Sequence, residues 1–217
     1  MVSKKRPAGP GRKKMVEELA MVLLKVKALQ IGTFTLASGA LSSYYIDLRT
    51  IPSFPGAYRF VTDCYLDLIR RDVGVSKFDA IAGVPTAGLV YSSPVALELG
   101  KPMIYVRKEE KDYGRKKRIE GALNPGWRVL VLDDVITTGT SKLPAIEAIR
   151  DEGGEVNDVA VLIDRLEGGG AVLKKSRTKL HAFTDVVELV RALHKNEAIS
   201  DDEMQAIESQ KSGRSRQ

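Results

Sequence analysis

Residues 128–141 read RVLVLDDVITTGTS. An apolar run, Val129 to Leu132, ends in two adjacent acids, Asp133 and Asp134. A turn of small and hydroxylic residues follows (Thr137, Thr138, Gly139, Thr140 and Ser141), and then a helix-forming stretch. A strand that enters a helix through such a turn gathers unpaired backbone N–H groups and the positive end of the helix dipole at one point, which makes a phosphate cradle. Gly139 lets the backbone approach closely, and the hydroxyls add donors. The acids must serve another partner, because carboxylates repel phosphate. They suit ribose hydroxyls, which donate to them, or the water shell of a metal. Helix capping by Asp and Thr is the plainer alternative. It accounts for one polar residue, not for two acids followed by five small ones. No glycine loop ends in Gly-Lys-Ser/Thr, which excludes a P-loop.

Working outward, apolar strands alternate with helices. DAIAGV (79–84), PMIYVR (102–107), EVNDVAVLID (155–164) and KLHAFT (179–184) read as strands. Helices are expected over 86–100, over 140–154 and over 185–194, and Ser200 with Glu203 forms a capping box for a last one. Strands apolar throughout and separated by helices predict a parallel sheet covered on both faces, with right-handed crossovers. Ligands of such folds bind at the carboxyl ends of the strands. Upstream, Val16, Leu19, Ala20, Leu23 and Val26 share one face of a helix over 14–29, and a second helix over 55–72 carries Pro55 in its first turn. Between them FTLASGALSSYYIDLR (34–49) reads as short strands and turns.

The bulk properties bound the answer. The chain of 217 residues, 43% hydrophobic, suits one sizeable domain with a buried core. The expected division is a mobile tail over 1–12, one domain over 13–209 that includes a small substructure near 30–52, and a mobile tail over 210–217. No apolar run is long enough to span a bilayer and no secretory signal is read, so the expected compartment is the cytoplasm. One cysteine and two histidines exclude a disulfide within the chain and a Cys/His zinc site. The net charge of +6 suits an anionic partner.

Part of that charge sits in RKEEKDYGRKKRIEG (107–121), where seven basic side chains against four acids leave +3. Without apolar periodicity the segment is expected to be exposed and mobile. It reads as a solvated surface loop, as a nucleic-acid patch, or as a basic lid. A lid fits the phosphate turn, because departure of a charged leaving group such as pyrophosphate needs cations where the charge develops and exclusion of water.

DDVITTGTS resembles the PRPP-binding signature of type I phosphoribosyltransferases. The resemblance implies that fold: a central parallel sheet flanked by helices with a small N-terminal hood. It also implies that Asp133 and Asp134 contact the ribose hydroxyls of phosphoribosyl pyrophosphate (PRPP), while Val135, Ile136, Thr137, Thr138, Gly139, Thr140 and Ser141 hold its 5-phosphate. RKEEKDYG resembles the flexible loop of the orotate enzymes, commonly Arg-Lys-x-x-Lys-x-His-Gly. That match sets Arg107, Lys108 and Lys111 against the pyrophosphate, with Lys111 catalytic. Tyr113 stands where histidine is usual, and its hydroxyl still offers the pyrophosphate a hydrogen bond. The segment 34–49 resembles the hood motif, with Ala37 where bacterial members often carry lysine. GVPTAGL (83–89) resembles the pyrophosphate-side loop.

Arg165 follows the strand VAVLI on the ligand side, and in the family an arginine there, with Thr137, contacts orotate. A guanidinium fork suits a carboxylate.

The resemblance thus implies an orotate phosphoribosyltransferase that uses Mg2+ carried by PRPP and water, with no direct protein ligand, and works as a homodimer with shared sites. Nucleic acid is not an expected partner. A purine phosphoribosyltransferase and a non-enzymatic regulator that binds RNA or a nucleotide are the alternatives. No decarboxylase signature is read, so the following pathway step is not expected in this chain.

Overall fold

The structure is a computed structural model. It describes residues 11–35, 39–107 and 118–214, with side chains through residue 210. Ala37, Lys108, Lys111 and Tyr113 lie outside the described residues. The chain opens with α1 (Arg12–Lys25), which buries Met15, Val16, Leu19, Ala20 and Leu23 as the apolar spacing predicts. A hairpin of β1 (Leu29–Thr35) and β2 (Leu41–Ile46) follows, paired antiparallel with Ile31 opposite Tyr44, and then a 3-10 turn over Leu48–Ser53. Helix α2 (Pro55–Leu68) starts at its proline, as expected, and ends in a π turn over Ile69–Val73.

The main sheet is built from β3 (Ala80–Gly83), β4 (Met103–Val106), β5 (Ile119–Glu120), β6 (Arg128–Ile136), β7 (Glu155–Asp164) and β8 (Lys179–Asp185). Their order is β5-β4-β3-β6-β7-β8. The pairs β3–β4, β3–β6, β6–β7 and β7–β8 are parallel, and the short edge strand β5 is antiparallel. Helices α3 (Ala87–Leu99), α4 (Leu143–Asp151), α5 (Gly169–Lys175), α6 (Val186–Lys195) and α7 (Asp201–Arg214) complete the chain.

Strand alternation divides the core in two. Leu130, Leu132, Ala160 and Leu162 point to the face covered by α1, α2, α3 and α6. Val129, Val131, Val159 and Val161 point to the other face, against Ile146 and Ile149 of α4 and Leu173 of α5. Each such side chain, fully buried, contributes about 1.5–3 kcal/mol.

The order also fixes where a ligand can sit. From β3 the chain steps to β4 on one side, then returns to β6 on the other side. The connections after β3 and β6 therefore diverge and leave a crevice at their carboxyl ends. Ser200 and Glu203 cap α7 as read from the sequence: Ser200 N–H donates to Glu203 Oε2 at 2.8 Å, and Glu203 N–H to Ser200 Oγ at 3.3 Å. The carboxyl-terminal boundary differs from expectation. Residues 210–214 continue α7 and are not a tail. Its Gln210 accepts from Ser43 N–H at 3.0 Å and so ties the helix to the hairpin.

Candidate active site

The crevice is a cleft of about 650 Å³ at the carboxyl ends of β3 and β6. Of the residues singled out in the sequence, it brings together Arg107, Asp133, Asp134, Val135, Thr137, Ser141 and Arg165. The other turn residues do not line it with side chains. Ile136 is turned by strand alternation into the core under α4, and Thr138 and Thr140 point outward with their hydroxyls 3.1 Å apart. Gly139 has φ +81°, and a Cβ there would stand 3.0 Å from the carbonyl oxygen of Gly169. The glycine is what lets the turn close against the start of α5.

The acid pair is held from several sides. The Tyr65 hydroxyl, from α2, donates to the Asp133 carbonyl at 2.8 Å. Lys142 folds back from the turn, and its ammonium lies 2.7 Å from Asp133 Oδ2. It also donates to the Val135 carbonyl at 2.8 Å and to Ser141 Oγ at 3.3 Å. On the Asp133 side chain the remaining oxygen accepts from Asp134 N–H at 3.0 Å. The Asp134 carboxyl is pushed up to about 7, by burial first and then by the neighbouring Asp133 charge, against smaller downward pulls from the Val135 N–H and then from Lys142. From α3, Gly88 permits this packing: a Cβ there would come within 2.5 Å of the Leu132 carbonyl and 3.0 Å of Asp133 Oδ1.

The hood closes one side. Asp47 and Arg49 line the cleft and pair in a fork, Nε to Oδ1 at 2.7 Å and Nη2 to Oδ2 at 2.8 Å. The hydrogen bonds from Arg49 hold the Asp47 carboxyl below its ordinary range. Tyr44, fully buried, accepts from Arg165 Nε at 3.1 Å and lies under the guanidinium, whose carbon is 5.0 Å from the ring centroid. Arg165 is set by its own backbone, whose N–H donates to the Ile136 carbonyl at 2.9 Å. Its Nη2 is 3.1 Å from Glu167 Oε1. That atom is nevertheless buried and makes no hydrogen bond among the described residues. Ion-pair distance without hydrogen-bond alignment reconciles the two facts, and the fork retains a donor for a further acceptor.

At the far side, Arg107 and Arg118 both line the cleft, and Arg107 N–H donates to the Arg118 carbonyl at 2.8 Å. Residues 107 and 118 therefore stand side by side at the rim. Sequence reasoning did not find Lys142 or Glu167. A lysine just past a Thr-Ser turn reads as an exposed helix-start residue, and only the fold reveals that it points inward.

The sheet, the hood and the acid-pair turn define a class, the phosphoribosyltransferases, and a family sequence model described as "Phosphoribosyl transferase domain" matches residues 61–190. The chain is 40% identical over 181 residues to the orotate phosphoribosyltransferase of Cenarchaeum symbiosum, covering 83% of this chain and 90% of that one. It belongs to the orotate phosphoribosyltransferase family. Among solved structures, it resembles the orotate phosphoribosyltransferase of Aeropyrum pernix with a TM-score of 0.69 and 36% identity, over 82% of this chain and 99% of that one. It resembles the UMP synthase of Leishmania donovani with a TM-score of 0.82 and 35% identity, over 93% of this chain. The chain spans only 43% of that longer protein.

Proposed function

We propose that the chain transfers ribose 5-phosphate from PRPP to a ring nitrogen of orotate, giving orotidine 5-phosphate and pyrophosphate in pyrimidine nucleotide synthesis. The observation that carries this reading is the placement of the acid pair, the phosphate turn and the Arg165 fork around one cleft. In the reaction the bond from the ribose anomeric carbon to the pyrophosphate oxygen breaks, and a bond from that carbon to the base nitrogen forms.

The roles follow from donor and acceptor chemistry. Asp133 and Asp134 accept hydrogen bonds from the ribose hydroxyls. The N–H groups of Ile136 to Ser141, with the Thr137 and Ser141 hydroxyls, cradle the 5-phosphate, whereas the Val135 N–H donates to Asp134 Oδ1 at 2.7 Å. Arg165 holds the carboxylate of orotate, with Thr137 beside it. Arg107, with Lys108, Lys111 and Tyr113 of the adjoining segment, stabilises the leaving pyrophosphate.

The cleft carboxylates Asp47 and Asp133 are already paired with Arg49 and Lys142. Among the described residues no three His, Cys, Asp or Glu side chains gather as a metal site. Such a donor set fits Mg2+ held by the phosphates of PRPP and by water, with Asp134 facing the water shell. The ion would offset part of the pyrophosphate charge. We further assign the enzyme to the cytoplasm as a homodimer; among the described residues no helix is long and apolar enough to cross a membrane.

Pyrophosphate release measured with orotate, uracil, adenine, guanine and hypoxanthine tests the reading. Release is expected with orotate. Purine-dependent release, or none with orotate, overturns it.

A further inference from the structure

Lys142 has a place in the site that its sequence position does not suggest. Its side chain is 5% exposed and that of Asp133 is 8% exposed. The ammonium forms an ion pair with Asp133 Oδ2 and donates hydrogen bonds to the Val135 carbonyl and Ser141 Oγ. These oxygens belong to the acid pair, the end of β6 and the last residue of the phosphate turn. A buried lysine is costly unless paired in this way, so its location calls for a role.

We propose that Lys142 is a positioning residue of the ribose subsite: anchored on the end of β6 and the phosphate turn, it balances the charge of Asp133 and fixes that carboxylate. The inference rests on the reading that Asp133 and Asp134 meet the ribose hydroxyls.

Two consequences separate this role from simple packing. Lys142 acts through Asp133, so removing both should cost no more than removing Asp133 alone. Lys142 also draws Asp134 downward, against burial and the Asp133 charge. Other groups facing the pair are Tyr65 from α2, Tyr91 from α3, and the Asp47–Arg49 fork from the hood. Burial pushes both phenols upward, out of the neutral range. With Lys142 gone, Asp134 should therefore shed its proton only at higher pH.

The test compares Lys142→Met, Asp133→Asn and the double variant with the wild-type enzyme in full kinetics. Methionine keeps the volume and length of the side chain. For Lys142→Met, kcat/KM for PRPP should fall by about 10–100-fold, the range set by a charge-assisted hydrogen bond. The orotate KM at saturating PRPP should change by less than about threefold. The acid limb of the PRPP kcat/KM profile should move to higher pH, which a packing defect would not do, because it lowers the rate equally at every pH. The double variant should match Asp133→Asn. If Lys142→Met alone fails to fold, the double variant, which leaves no buried charge unpaired, carries the comparison.

An unmoved acid limb overturns the proposal, as does a double variant about tenfold or more below Asp133→Asn. Wild-type PRPP kinetics in Asp133→Asn would instead remove the ribose reading on which the proposal stands.

Discussion

Two adjacent carboxyls at the end of one strand share a half-buried corner, and their environments differ. Asp133 faces Lys142 at 2.7 Å, whereas Asp134 is pushed up to about 7 by burial and by its neighbour. Its unfolded value is near 3.8. A carboxyl raised on folding contributes stability that is fully present below the unfolded value and is lost as pH rises through the folded one. The unliganded protein should therefore lose stability between about pH 4 and 7 through this residue. Asp134→Asn should lack that slope and run parallel to wild type above neutrality, in thermal melts from pH 4 to 9. The same variant should have little turnover while remaining folded. A wild-type melt with the same pH slope as the variant, or wild-type turnover in the variant, contradicts the assignment. Arg165 gives a second residue-level prediction. Its fork keeps a buried donor uncommitted, and an arginine–carboxylate contact is worth about 1.5–3 kcal/mol. Arg165→Ala should raise the orotate KM by about 10–100-fold and the PRPP KM far less. Equal effects on both would show that Arg165 does not read the base. That Asp133, Asp134, Thr137 and Ser141 lie at a strand's carboxyl end was legible in the apolar run before them, whereas Arg165 was singled out through the family resemblance. Lys142 and Glu167 were not, since nothing in a lone charged residue tells which way it will point.

At the scale of elements, apolar periodicity carried most of the reading. The strands β3, β4, β6, β7 and β8 lie where unbroken runs of Val, Ile, Leu and Ala place them. Helix α5 was missed because it begins in Gly168-Gly169-Gly170 and holds together through tertiary packing of the fully buried Leu173. Strand β5 has two residues, too few for a period. The tail expected over 210–217 begins inside α7, whose polar end carries no apolar signal although Gln210 bonds to β2. Residues 34–49 read as short strands and turns, and two strands are there, but Ser42-Ser43, read as a break, lies inside β2 with Ser42 opposite Phe34. The packing of α3 on β6 makes a prediction of its own. Gly88 sits where a Cβ would come within 2.5 Å of the Leu132 carbonyl. Backbone cannot yield as a flexible side chain does, so Gly88→Ala must push β6 and the acid pair away. The expected cost is about 1–3 kcal/mol, read in urea unfolding, with a loss in kcat/KM for PRPP larger than that for orotate at saturating PRPP. Unchanged stability and kinetics would show that the two elements pack more loosely than described.

For the whole molecule, the question is whether one chain completes its own cleft. Arg107 and Arg118 meet at the rim, joined by the bond between them. A loop of ten residues, extended, reaches about 16–18 Å from its base, enough to cover its own site or a neighbour's. Leu97 on α3, 83% exposed, and Tyr105 on β4 are exposed large apolar side chains. We therefore propose a homodimer in which the basic segment of each chain, with Lys111 in it, serves the other chain's cleft; the expected bounds of 108–120 are too long at their end, because Ile119 and Glu120 form β5 on β4 of their own sheet. A Lys111→Ala variant and an Asp134→Asn variant should each be nearly inactive alone. Mixed and allowed to reassociate, they should recover activity. In a hybrid dimer with lids exchanged, one cleft receives both defects and the other receives an intact Asp134 together with an intact Lys111. With equal amounts, half of the dimers formed at random are hybrids and half of their sites are whole, so recovery should approach about a quarter of wild-type turnover. If the lid instead covers its own chain, every cleft in the hybrid carries one defect and nothing is restored. No recovery despite heterodimers detected by native mass spectrometry would sink the exchange, and a monomer in sedimentation at assay concentration would sink the dimer with it.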